Sequence, residues 1–175
     1  MRVVLTLPEM LLANTVAGLR QTDNIKRGAR PRYGAPEGYE GDGLNLLGCR
    51  GELAVAKALG VFWSGNVGDY SATDVGGYEV RAFDQGHKRL IIHPADIEAK
   101  GDLPFISVLF DRATGRHAEL RGWIFARDAD RPEWWQDPSG KGRPAFFVPN
   151  SALRPMADLP PHTWPTPARA QEAAE

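Results

Sequence analysis

Two adjacent glycines, Gly76 and Gly77, constrain the fold more than any other feature of this chain. A Gly-Gly pair between short β-type runs signals a two-residue hairpin turn, because glycine takes positive φ at little cost. Counting outward from that turn sets Val75 against Tyr78, Asp74 against Glu79 and Thr73 against Val80. Directly opposed residues in an antiparallel pair hold their Cβ atoms about 4.5–5.5 Å apart. Two carboxylates at that spacing repel each other. A divalent cation between them turns the repulsion into a binding site, since Mg²⁺ is held through one or two carboxylates. Strand alternation puts Glu79, Arg81 and Phe83 on one face and Tyr78, Val80 and Ala82 on the other. The same residues admit a plainer reading, in which Arg81 bridges the acids on a solvated strand face.

The rest of the sequence narrows the chemistry. The net charge is -1, so bulk charge does not make this a nucleic-acid binder, and any such surface must be a local patch. Cys49 is the single cysteine, which excludes an internal disulfide and a cysteine zinc cluster and fits a reducing cytoplasm. Cys49 is expected to pack as a small apolar residue. The histidines, His87, His93, His117 and His162, show no HExxH or paired-ligand spacing. No run approaches the roughly 18 apolar residues of a membrane helix. Pro8 and Glu9 interrupt the first apolar stretch, so the N-terminus reads as folded structure rather than a signal peptide.

Residues 3–7 read as a short strand. A helix is expected over 8–24, with Leu11, Leu12, Thr15, Val16 and Leu19 at helical spacing. Lys26, Arg27, Arg30 and Arg32 form a basic cluster among glycine and proline, either a solvated loop or an arm that touches phosphates. Residues 31–43 read as loop. A second helix is expected over 44–60, capped by Asn45 and stopped at Gly60. Glu52 shares its apolar face with Val55, Ala56 and Leu59. A buried carboxylate is costly without a partner, so Glu52 should have one, although a first-turn Glu favoured by the helix dipole is the alternative. Gly48 and Gly51 leave room beside it for close approach.

Strands are expected over 89–93, 104–111, 119–126 and 145–149, with PFISVLFD at 104–111 apolar enough to be covered on both faces. Residues 130–138 read as a short helix whose Trp134 and Trp135 close a core edge or stack on bases. Residues 160–175, rich in proline and alanine, read as a flexible tail. The segments group as an N-terminal strand, helix and basic loop at 1–43, a core at 44–159 and that tail. Leu46, Val55, Leu59, Val80, Ile106, Val108, Leu109, Trp123 and Phe125 are the expected core.

The order of GCRGELAVAKALG, DVGGYEVRA, RLIIHPADI and FISVLFD resembles the PD-(D/E)XK, restriction-endonuclease-like nuclease superfamily, and within it small phage and prophage nuclease-like proteins. The resemblance spans residues 44–126. It implies an α/β fold with a mixed β-sheet flanked by helices, and a cytoplasmic setting in a bacterial or phage-infected cell. It further implies metal-dependent hydrolysis of DNA, with RNA the other candidate nucleic acid, by Mg²⁺ or Mn²⁺. Asp74 and Glu79 resemble the metal-binding acids, Val80 would offer its carbonyl, and Glu52 resembles the helix Glu that completes the site. Arg81 stands where the family usually has lysine. Arginine stays protonated, so it can grip a scissile phosphate but is a poor general base; Lys88 or His87 is the nearest substitute in sequence. The alternative is a catalytically inactive nuclease-fold protein that binds nucleic acid or a protein partner.

Overall fold

The computed structural model describes residues 1–28, 42–69, 72–86, 88–138, 140 and 142–161. Strand β1 (Arg2–Val4) leads into helix α1 (Leu7–Lys26). Thr6 and Glu9 form a capping box at its start, with Pro8 in the first turn. Helix α2 spans Asp42–Leu59 and ends on Gly60 at φ 66°. It therefore starts three residues before Asn45, which lies inside the helix and donates to Gln21 on α1 at 2.9 Å rather than capping. Strand β2 (Glu79–Phe83), β3 (Leu90–Ile92), helix α3 (Pro94–Lys100), β4 (Pro104–Phe110) and β5 (His117–Phe125) follow, then β6 (Trp135–Gln136) and β7 (Ala145–Val148). Among the described residues no helix is long and apolar enough to cross a membrane.

These strands form two sheets rather than one. The main sheet is mixed, in the order β1-β5-β4-β2, with β2 parallel to β4 and the other pairs antiparallel. A parallel pair needs a crossover, and here the connection runs through β3 and α3. Strands β3, β7 and β6 make a separate antiparallel sheet. The region around Trp134 is a single 3₁₀ turn leading into β6, not a helix, with Trp134 buried and Trp135 half-exposed.

Strand β4 is covered on both faces, as its apolar run requires. Ile106, Val108 and Phe110 enter a core built with α1, α2 and β5. Phe105 enters a second core with Leu90, Ile92, Ile124, Phe146 and Val148 from the small sheet. Of the expected core, Val55, Val80, Ile106, Val108 and Trp123 are buried. Leu46, Leu59 and Phe125 are only partly buried at its margin, and Leu109 is half-exposed on the flank of β4 that β1 and β5 leave open. Leu5, Ala13, Val16 and Ala17 belong to the first core, so the N-terminal strand and helix share it with residues 44–126.

Two glycines set close contacts. A Cβ on Gly51 would lie 2.7 Å from that of Ala82, which is how α2 reaches β2; Gly48 faces open space and has no such role. In β5, Arg121 is an extra residue opposite the Ser107–Val108 step of β4, a bulge. Gly122 follows at φ 145°, with a virtual Cβ 2.5 Å from the Arg154 carbonyl. The bulge aims Arg121 at the Gly86 and Lys88 carbonyls and seats the 153–156 segment against Trp123.

Candidate functional site

Gly76 and Gly77 close the tight turn, at φ 53° and 94°, and Val75 and Tyr78 exchange both backbone hydrogen bonds around it. The hairpin stops after that one bridge. Asp74 and Glu79 are therefore not cross-strand partners. Asp74 instead turns its carboxylate onto the backbone of β2, where Oδ2 accepts from the Val80 N–H at 2.8 Å. That bond replaces the ladder the hairpin would have continued, and leaves the opposite edge of β2 free to pair with β4. The two acids still feel each other, because Asp74's charge raises the pKa of Glu79.

Glu79 is 3% exposed and begins β2. Its Oε1 accepts from Lys100 Nζ at 2.7 Å. Lys100 is the last residue of α3, so the crossover places an ammonium where the strand itself offers only Arg81. Burial first, then Asp74's charge, pushes the Glu79 carboxyl up to about 7, while Lys100 and Arg81 pull the other way. Asp96, also on α3 and buried, caps the helix through His93 N–H on Oδ2 and turns Oδ1 toward Arg81 Nη2 at 3.4 Å.

Arg81 lies at the centre of this group. Its Nη1 donates to the Val80 carbonyl at 3.2 Å and stands 3.8 Å from Glu79 Oε2 and 3.9 Å from Asp74 Oδ2. The guanidinium rests over the Phe105 ring at 4.9 Å. The contacts to the two acids are too long for hydrogen bonds, so Arg81 neutralises them without being clamped. Asp74, Glu79, Arg81, Asp96 and Lys100 line an open cleft of about 390 Å³ together with Arg20, Asn24, Asn45 and Asn66.

Glu52 is not in that lining. It is 4% exposed and does sit on the inner face of α2, but its partners are protein groups. Arg20 of α1 holds it bidentately, Nη1 to Oε1 at 2.6 Å and Nη2 to Oε2 at 2.8 Å, and Trp63 Nε1 donates to Oε2 at 2.9 Å. Burial raises the Glu52 pKa, the Arg20 bond lowers it and Asp74's charge raises it again, with the net direction upward. Burial alone would lower Arg20's pKa, but Glu52's hydrogen bond and charge carry it upward. The two parallel N–H···O contacts have the fork geometry of a bidentate Arg–carboxylate pair. In this arrangement both Glu52 oxygens accept from Arg20 or Trp63, and Glu52 is absent from the cleft lining. Its expected partner exists, and it is Arg20.

The remaining candidates separate. Lys88 lies in the turn held by Arg121, away from the cleft lining, and His87 lies outside the described residues. Arg27 pairs with Asp23 at 2.9 Å and donates to the Gly68 carbonyl, while Arg30, Arg32 and the tail beyond residue 161 lie outside the described residues. Arg20, Asp96 and Lys100 were missed by sequence reasoning. Their only local signal was the i, i+4 spacing of Asp96 and Lys100 after Pro94, which puts both on one helix face.

The donor set can be tested against a hard divalent cation. Among the described residues, no three His, Cys, Asp or Glu side chains stand close enough to hold a metal ion as they are. Three of the four groups that the resemblance assigns to the metal, the Asp74 and Glu79 carboxylates and the Val80 carbonyl, nonetheless face one point. That point is Arg81 Nη1, so a cationic group already occupies it. The set is all oxygen, the ligand type that Mg²⁺ prefers.

The raised Glu79 pKa carries an expected result. An acid whose folded pKa exceeds its unfolded value binds more protons when folded, so stability is lost as pH rises between the two. In chelator, the protein should lose on the order of 1–3 kcal/mol from Glu79 as pH climbs from its ordinary 4.5 to about 7. Urea midpoints across that window check this, and the slope should flatten in Glu79→Gln. No family model matches the chain, and no curated protein and no solved structure matches it.

Proposed function

We propose that the cleft hydrolyses phosphodiester bonds in DNA with the help of Mg²⁺ or Mn²⁺, on a restriction-endonuclease-like fold. One observation carries this reading. The Asp74 and Glu79 carboxylates and the Val80 carbonyl all face a single point, with a lysine 2.7 Å from Glu79. The arrangement of α2 packed on β2, with β4 parallel to β2 through α3, supports the fold assignment.

Asp74, Glu79 and the Val80 carbonyl would hold the cation. Bound there, it would polarise the phosphate and ease deprotonation of water. Lys100 would take the part that Arg81 cannot: once its ammonium has lost a proton the neutral amine can accept one from water, whereas a guanidinium stays protonated. Arg81, freed from the acids, has the fork geometry for two phosphate oxygens and places positive charge where negative charge develops. Asp96 retains Arg81's other nitrogen and limits how far it swings. Arg20, Glu52 and Trp63 tie α1, α2 and the loop after α2 into a fixed wall beside the cleft.

The central position of Arg81 favours a second reading, a non-catalytic binding module in which the guanidinium permanently replaces the metal. One assay separates the two. Linear, circular and single-stranded DNA, and RNA, are incubated with the protein in Mg²⁺, in Mn²⁺ and in chelator. The nuclease reading expects metal-dependent cleavage that Arg81→Lys retains and Lys100→Met lowers by about 100-fold or more. Absence of cleavage of every substrate by wild type and by Arg81→Lys would leave the binding module standing.

A further inference from the structure

Helix α1 is amphipathic in an unusual sense. Its ionisable residues Glu9, Arg20 and Asp23 are all used inside the chain, on Lys57, Glu52 and Arg27. Its apolar residues Leu7, Leu11, Leu12, Leu19 and Ile25 face solvent, each more than half exposed and Leu7, Leu11 and Ile25 near 70%. Leu7, Leu11, Thr15, Gly18, Thr22 and Ile25 recur at four- and three-residue steps, a straight stripe along the outer face. Thr15 and Thr22 turn their hydroxyls back onto the Leu11 and Gly18 carbonyls at 3.0 and 2.9 Å, so the stripe presents methyl groups there too. Gly18 faces open space. Only Lys26 brings a charge, at the helix's end.

We infer that this face is the interface of a homodimer, formed by α1 of two copies packed antiparallel across a two-fold axis. Three features select a second copy. Leu7, Leu11 and Ile25 on the stripe, widened by Leu12 and Leu19 on its flank, offer on the order of 500 Å² per copy, so two copies that bury both stripe and flank reach the roughly 1,000 Å² that a specific interface requires. The stripe is complementary to itself when reversed. With the axis between Val16 and Ala17, Leu11 falls opposite Thr22 and Thr15 opposite Gly18, large against small, and the missing side chain at Gly18 lets the axes approach closely. Antiparallel packing also opposes the helix dipoles of the two copies. A lipid surface would instead call for a basic rim, and among the described residues of the outer face of α1 Lys26 is the one cation, with Arg27 just past its end paired to Asp23.

Sedimentation equilibrium of the full chain is the test. Wild type is expected to dimerise reversibly below about 100 μM. Leu11→Lys and Gly18→Arg should each raise the dimer dissociation constant by about 100-fold or more. Because both positions are exposed, circular dichroism and melting of the diluted proteins should stay unchanged. Mixing Leu11→Cys with Thr22→Cys should give the mixed disulfide faster than either variant cross-links to itself. A monomer at about 100 μM overturns the inference, as does a dimer that both charged variants retain. Binding to neutral or anionic vesicles by a protein that is monomeric in solution would assign the face to lipid and overturn it equally.

Discussion

Arg20→Leu is expected to destabilise the protein by about 3–5 kcal/mol, because it strands a buried carboxylate. Glu52 is 4% exposed, and Arg20 supplies two of its three hydrogen bonds. Trp63 alone cannot balance a full negative charge away from water. For a domain whose total stability is about 5–15 kcal/mol, this single change approaches the unfolding threshold. Removing both charges should be milder. Arg20→Leu with Glu52→Met leaves the Trp63 N–H without its acceptor and the Asn66 carbonyl without the Arg20 Nε donor, but no buried charge, at about 1–3 kcal/mol. Urea unfolding of the two variants measures the difference. Equal losses in the single and double variants would mean that the pair is not the buried ionic contact described.

Asp74→Asn is expected to abolish cleavage, with a loss of about 1,000-fold or more, while leaving the fold intact. An asparagine keeps an oxygen for the Val80 N–H, so the cap on β2 survives. What it loses is the charge that would hold a cation and that now raises the Glu79 pKa. In chelator the variant should melt at or slightly above the wild-type temperature, because one of two neighbouring like charges is gone. Asp74→Ala, by contrast, loses the cap as well and should melt lower. Wild-type cleavage by Asp74→Asn would place the metal site elsewhere.

Local patterns carried much of the architecture. Gly76 and Gly77 announce a turn by themselves, and PFISVLFD announces a doubly covered strand, because both depend on neighbours in sequence. Glu52's need for a partner was legible, since it lies among Val55, Ala56 and Leu59; the partner's identity was not. Arg20 lies 32 residues away on another helix, and Lys100 lies 21 residues beyond Glu79. Such pairings are set by how helices dock, which periodicity does not encode. The same limit explains why Lys88, adjacent in sequence to β2, drew attention that Lys100 merited. Counting outward from the turn sets Asp74 opposite Glu79 and takes no account of its own carboxylate chemistry. A carboxylate beside a strand can satisfy the backbone directly, and Val80's N–H offered that option. Leu11, Leu12 and Leu19 announced a helix correctly, but helical spacing does not say which face turns inward.

Arg81 at the meeting point of Asp74, Glu79 and the Val80 carbonyl is the geometric centre of this account. Calorimetric titration of the metal-free protein with Mg²⁺ and with Mn²⁺ tests it most directly. Saturable binding is expected that disappears in Asp74→Asn and in Glu79→Gln and tightens in Arg81→Ala, where the guanidinium no longer competes and only Lys100 remains on Glu79. Absence of binding in wild type and in Arg81→Ala alike, with both proteins folded, would contradict it.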